Sequence, residues 1–284
     1  MSSPDGITAP SPVEPVLRVT GLSKTYGTGN GALQAIADVT LDVHANETVC
    51  IVGPSGAGKT TLLKCLSGLL ERTTGTIEFE GRQVSGTPGR MALVFQEYGR
   101  SLMPWLTVAQ NITLPLKGKG IRKEEIRERM LSSLEAVGLE DAAKRYPWQL
   151  SGGMQQRVAI ARAVAYRPHV LLMDEPFASV DAQTRMDLED LVLKIRRELG
   201  ITIVFVTHDI DESIYLGNRV AVLSRSPTKV RRVLDIDLPD ERNQLDTKNL
   251  PQFGQLRREI MSLLDRQIHR ASDDKTQPLR PAPG

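Results

Sequence analysis

Residues 53–60, Gly-Pro-Ser-Gly-Ala-Gly-Lys-Thr, fit GxxxxGK[ST] and lie between an apolar run at 48–52 and an apolar pattern of helical spacing at 60–70. Strand, glycine loop and helix start in that order turn backbone N–H groups toward an anion. Gly53, Gly56 and Gly58 leave no Cβ in the way. Lys59 adds a point charge and the helix from Thr60 adds its dipole, so the loop is expected to cradle β- and γ-phosphate oxygens. Pro54, Ser55, Ala57 and Thr61 complete the cradle, and the Thr60 hydroxyl is the expected Mg²⁺ ligand. The plain alternative is a glycine turn that only caps a helix.

The rest of the chain is organised around that unit. Strands are expected at 17–20, 39–43 and 48–52, near the sheet edge, and again at 76–79 and 91–95. A helix at 122–137 carries Ile126, Met130, Leu134 and Val137 on one face and stops at Gly138. A second, at 151–166, is closed by Pro168. From Val170 onward, strands at 170–173, 202–206 and 220–223 alternate with a helix at 183–199, which implies a parallel sheet. Residues 1–15, polar and Pro-rich, read as a disordered tail. Near the other end Phe253, Leu256, Ile260, Leu263 or Leu264, and Ile268 mark an amphipathic helix that either packs on the core or makes a dimer contact.

Composition removes several classes of partner. Lys and Arg number 36 against 34 Asp and Glu, and a net charge of +2 recommends neither nucleic acid nor an anionic membrane. Phosphate binding must then be local. No window approaches the roughly 18 uninterrupted apolar residues of a membrane span, so work at a membrane would need another chain. Cys50 and Cys65 sit in apolar runs and read as small buried hydrophobes, which fits a reducing compartment. His44, His169 and His269 show no partner spacing and read as surface residues.

The apolar run 170–173 ends in Asp174-Glu175-Pro176. Successive strand side chains diverge, so the two acids must differ in role: Asp174 can hold Mg²⁺ while Glu175 orients and deprotonates a water attacking the γ-phosphate. Two solvated acids at a strand end are the alternative. Leu150-Ser-Gly-Gly-Met-Gln-Gln-Arg157 then narrows the field, because Ser151 is a good N-cap and Gly152 and Gly153 expose the first amides of a helix. This octapeptide resembles the signature motif of the ABC (ATP-binding cassette) family, and the resemblance covers about residues 16–238.

Further family elements follow in place. Gln96 resembles the Q-loop glutamine, which senses Mg²⁺ and water and contacts the transporter. Ala178-Ser-Val-Asp181 resembles the D-loop; it departs from the commoner Ser-Ala-Leu-Asp but keeps Asp181. His208 resembles the switch histidine that contacts the γ-phosphate, and Tyr26 the aromatic whose face stacks on adenine, a strand-end tyrosine being the plain alternative. Trp148 stands where many relatives have His.

The resemblance implies an α/β fold: a P-loop NTPase (RecA-like) parallel sheet core, an antiparallel β edge subdomain, and an inserted helical signature subdomain at about 99–167. Residues 239–284 form an extension beyond the ATPase domain. It implies an ATPase using ATP and Mg²⁺, with Glu175, His208, Gln96 and Lys59 in hydrolysis and Thr60, Gln96 and Asp174 around the metal. A second copy is implied as partner in a head-to-tail dimer, where Ser151, Gly152, Gly153 and Gln155 of one chain meet the γ-phosphate held by the other. Separate membrane permease subunits, indirectly a solute-binding protein, no nucleic acid, and a place on the cytoplasmic face of the inner membrane complete the expectation. Residues 102–108, Leu-Met-Pro-Trp-Leu-Thr-Val, with the signature, look most like the nitrate, sulfonate, taurine and bicarbonate importer group. Within that segment Leu102, Met103 and Trp105 either receive a permease helix or fold inward. A soluble ABC ATPase acting in cofactor assembly is the alternative function.

Overall fold

The computed structural model describes residues 14–273, apart from the side chains of Asn30, Tyr98, Arg100 and 266–273. Most of the expected tail at 1–15, the side chains of Ile268 and His269, and the last residues lie outside the described part. Among the described residues ten strands make one sheet: β1 (Leu17–Tyr26), β2 (Leu33–Val43), β3 (Thr48–Val52), β4 (Thr74–Phe79), β5 (Arg82–Gln83), β6 (Met91–Val94), β7 (Val170–Asp174), β8 (Thr202–Thr207), β9 (Arg219–Leu223) and β10 (Thr228–Asp235). The spatial order is β5-β4-β1-β2-β10-β9-β3-β8-β7-β6. From β9 to β6 all neighbours are parallel, whereas β1, β2, β4 and β5 pair antiparallel. β10 joins the halves, antiparallel to β9 and parallel to β2.

β3, β7 and β8 are buried along their whole length, and their side chains alternate between two apolar layers. Val49, Ile51, Leu172, Val204 and Val206 face one layer; Cys50, Val52, Leu171, Met173, Ile203 and Phe205 face the other. A strand covered on both faces must be apolar throughout. One expectation is corrected: β3 lies in the middle of the parallel sheet, not near its edge, because it pairs with β8 on one side and β9 on the other.

Among the described residues there are eight α-helices: α1 (Lys59–Leu66), α2 (Tyr98–Ser101), α3 (Val108–Thr113), α4 (Lys123–Ala136), α5 (Gly152–Ala165), α6 (Ala182–Leu199), α7 (Ile210–Leu216) and α8 (Pro251–Asp273); α2, α3 and α4 pack on α5, which in turn meets β6. α1 packs alone into the layer beside β1, β2 and β4, through Leu62, Leu63, Cys65 and Leu66. It ends earlier than residue 70. Gly68 turns at φ +70°, and its Cβ position would lie 2.0 Å from the carbonyl oxygen of Gly86, so only glycine lets the chain leave the helix there.

α5, α6, α7 and α8 contribute to the other layer. On α4, Leu134 is buried with Val137 just beyond its end, and Ile126 and Met130 are partly so, as their spacing predicts. α8 buries Phe253 and Ile260 completely and binds α7 through the Arg257 guanidinium, which donates to both carboxylate oxygens of Asp211 at 2.5 and 2.6 Å. Of the two roles expected for this helix, its apolar face takes core packing. Both cysteines are buried and free, as expected. His44 and His169 are not plain surface residues: each is half-buried, and the His169 ring meets Glu80.

Candidate active site

The ends of four parallel strands set the site. In register, Val52 of β3 lies beside Thr207 of β8, Val206 beside Asp174 of β7, and Met173 beside Val94 of β6. The segments that follow them, 53–58, His208, Glu175 and Gln96, therefore start side by side at one edge of the sheet. This is the crevice outside the carboxyl ends where open α/β sheets bind ligands.

The loop 53–58 curls over the N-terminus of α1, with Gly58 left-handed at φ +76° as its N-cap. It is that φ which calls for glycine, since a Cβ would only touch the Ala35 carbonyl and Thr228 Oγ1 at 3.4 Å. Lys59 is buried, and its Nζ donates to the carbonyls of Gly53 at 3.0 Å and Pro54 at 3.3 Å. The same ammonium lies 3.4 Å from Glu175 Oε1. From behind, the Thr228 hydroxyl on β10 donates to the Ala57 carbonyl, so a strand far along the sequence buttresses the loop.

Asp174 and Glu175 diverge as the strand geometry requires. Asp174 is buried beside the Thr60 side chain and has its Oδ1 sealed from solvent without a hydrogen-bond partner. Burial pushes its carboxyl up and the Thr60 side chain opposes this. An unmatched carboxylate oxygen beside a hydroxyl is the donor set a hard dication accepts, so the residues present fit Mg²⁺. Glu175 leaves the strand at φ +41°, a region costly for a non-glycine residue, while its N–H donates to the Val206 carbonyl at 2.9 Å. That bend aims Glu175 at Lys59 and brings its Oε2 within 3.1 Å of His208 Nδ1.

His208 is held by its neighbours on both sides. The Asp209 N–H donates to Thr207 Oγ1 at 2.9 Å, and Asp209 Oδ1 accepts from the Glu212 N–H at 3.1 Å, capping α7. Arg185 of α6 reaches the other Asp209 oxygen at 3.4 Å. Tyr26 ends β1 with its hydroxyl 3.2 Å from Thr61 Oγ1, which places a half-exposed ring beside the start of α1. Gln96 follows β6 and is exposed.

The signature residues occupy a second helix start. Ser151 caps α5, its Oγ accepting from the Met154 N–H at 3.3 Å, and Gly152 is exposed. Gln155 turns back to donate to the carbonyls of Pro147 at 3.0 Å and Leu150 at 3.3 Å, so its side chain shapes the turn. Asp181 caps α6, accepting from the N–H and the hydroxyl of Thr184. Among the described residues no hydrogen bond or ion pair joins 151–155 to 53–60. Leu102 is 2% exposed and folds inward, pinned where the Met103 N–H donates to Asn111 Oδ1 at 2.8 Å, whereas Trp105 is 70% exposed. Trp148 is likewise exposed and stacks on Tyr146 with ring centroids 5.9 Å apart.

Sequence reasoning missed Thr228, Thr207, Arg185 and Glu212. For the last a signal existed: Asp209 followed three residues later by Glu212 is an N-cap pattern that predicts α7.

The comparisons with known proteins agree with this geometry. The family profile described as ABC transporter matches residues 36–178. An uncharacterized ABC transporter ATP-binding protein of Methanocaldococcus jannaschii is 42% identical over 252 residues, covering 89% of this chain and 92% of its own length. The aliphatic sulfonates import ATP-binding protein SsuB of Bacillus licheniformis is 41% identical, covering 84% and 90%. Relatives of similar identity are named for nitrate, taurine and bicarbonate import or transport. Among solved structures, a dimeric ATP-binding cassette in a post-hydrolysis state bound to ADP and Pi is 34% identical, covers 78% of this chain and 98% of its own, and superposes with a TM-score of 0.66. The two glycine-lined helix starts, the acid-tipped strand and these likenesses place the chain in the ABC transporter family, as an ATP-binding subunit that hydrolyses ATP.

Proposed function

We propose that two copies of this chain clamp two ATP molecules head to tail and energise import of a small solute, an anion such as nitrate, a sulfonate, taurine or bicarbonate, through separate permease subunits. Three side chains at this edge of the sheet carry the reading: one carboxylate, Glu175, held between the Lys59 ammonium and the His208 ring. The names of the relatives support the solute class. Among the described residues no helix is long and apolar enough to cross a membrane, which fits a subunit that works from the cytoplasmic face against a permease. The exposed Trp105 is the apolar contact offered to a permease helix.

Each chain binds the triphosphate on the amides of 53–58 and on Lys59, and Tyr26 takes the adenine on its ring face. Mg²⁺, held by Thr60, Asp174 and Gln96, would neutralise charge on the β- and γ-oxygens. Ser151, Gly152 and Gly153 of the second copy close over the γ-phosphate with their helix N-terminus. Glu175 takes a proton from the attacking water as the oxygen bonds to the γ-phosphorus and ADP leaves, while His208 fixes the carboxylate's direction. Loss of the bridging phosphate removes the contact between the two chains, and the dimer opens.

Glu175→Gln tests this. The variant should bind ATP with little change, lose about 10²–10⁴ in turnover, and accumulate as an ATP-dependent dimer in size-exclusion chromatography. Turnover at the parent rate would remove Glu175 from the chemistry.

A further inference from the structure

Gly153, the second glycine of the signature turn, faces the start of α6. A Cβ at Gly153 would lie 2.4 Å from Thr184 Cγ2, whereas Thr184 Cβ and Oγ1 stand 3.7 and 3.8 Å away. Only the methyl group obstructs. It has no cheap way to swing aside, because the Thr184 hydroxyl donates to Asp181 Oδ2 at 2.7 Å and the Thr184 N–H to Asp181 Oδ1 at 2.9 Å. One carboxylate thus grips both ends of the residue whose methyl meets the glycine. The backbone bond and then the side-chain bond from Thr184 hold the Asp181 carboxyl below its ordinary range.

Backbone conformation gives no reason for glycine at this position. Gly153 lies inside α5 and outside the left-handed region, where alanine is the better helix former. Two explanations remain: the opposite chain's phosphate needs the room, or Thr184 does. The 2.4 Å approach within one chain favours the second.

We propose that Thr184 is a positioning residue: fixed by Asp181, its methyl group sets how closely the signature turn seats on α6, and Gly153 is glycine to allow that approach. The D-loop and the signature turn of one chain then present their faces to the second copy as a unit. This deepens the head-to-tail reading above and rests on it for the role of the signature turn.

The test compares Gly153→Ala, Thr184→Ser and the double variant in the full chain, reading ATP turnover and, with Glu175→Gln added, ATP-dependent dimerisation. Thr184→Ser deletes Cγ2 and keeps the hydroxyl on Asp181, leaving an alanine at 153 only ordinary contacts. Gly153→Ala should weaken dimerisation and turnover about tenfold, and Thr184→Ser should restore most of that loss, a coupling of the size adjoining residues show. ATP affinity of the isolated chain at concentrations too low for dimerisation, set by the phosphate loop, should stay the same in all variants. An alanine at 153 that is equally damaging in both backgrounds, or harmless in both, overturns the proposal. Thr184→Val, which keeps the methyl and frees it from Asp181, gives an independent reading: turnover should fall at unchanged ATP affinity, and parent turnover would also overturn it. Failure of the head-to-tail reading looks different, as a Glu175→Gln chain with Gly153 and Thr184 intact that never dimerises with ATP; the turnover comparison still decides the coupling.

Discussion

His208 Nδ1 lies 3.1 Å from Glu175 Oε2, and the carboxylate's other oxygen lies 3.4 Å from Lys59 Nζ. Glu175 is therefore tethered at both oxygens, one to the phosphate loop and one to the end of β8. A carboxylate aimed by two partners loses its aim when one is removed. His208→Ala is expected to lower turnover about a hundredfold while ATP affinity changes little. A steady-state profile in which only KM rises would show that His208 binds nucleotide without aiming the carboxylate.

Lys59 is buried, and its ammonium bonds two carbonyls of its own loop. It shapes the cradle as well as charging it. Lys59→Ala should weaken ATP binding at least about tenfold, since hydrogen bonds to charged groups contribute about 1.5–3 kcal/mol. Calorimetry giving the parent affinity would contradict the phosphate-loop assignment.

Thr228 supports the same loop from β10 through the Ala57 carbonyl, and it is fully buried. Thr228→Val leaves that carbonyl without its donor at a cost of about 1 kcal/mol, so ATP affinity should fall about fivefold. Thr228→Ser should retain it. Equal affinities for the two variants would mean that shape, not the hydroxyl, supports the loop.

Glu212 is buried on α7, and desolvation pushes its carboxyl up to about 8; Glu189 and Asp209 add to this, while Thr207 and Arg185 oppose it. The native chain thus keeps a proton that the unfolded chain, with an ordinary value of 4.5, has released. Unfolding sheds that proton between those two values, so this residue's contribution to stability is complete at acid pH, declines as pH rises through the window, and is flat above it. Melting curves across about pH 5–8 should fall less steeply with pH for Glu212→Gln than for the parent. Parallel curves would show that Glu212 is ionised in the native state.

Much of the fold was legible because burial on both faces leaves no choice of residue. β3, β7 and β8 read as strands directly, and the helices at 122–137 and 151–166 lie within a residue or two of α4 and α5. β10 was not legible, and α7 only through its Asp209 cap. β10 is half-exposed and written in charges, Thr-Lys-Val-Arg-Arg, and its pairing with β9 and β2 is decided by where those strands lie. α7 is seven residues long, too short for an apolar period to declare itself, and its stability comes from the Asp209 cap and from α8.

The sequence alone determined the chemistry. Gly53 to Thr60, Asp174-Glu175, Ser151 to Gly153 and His208 are residue types at spacings that carry the proposed site, and in the two glycine segments phosphate recognition would rest on local backbone that the glycines themselves permit. Tertiary structure alone decided which groups stand behind them. Thr228 meets Ala57 across 171 positions, and the Thr184 methyl meets Gly153 across 31. Such contacts leave no period or motif in the text, because they depend on how the sheet order and helix packing bring distant surfaces together.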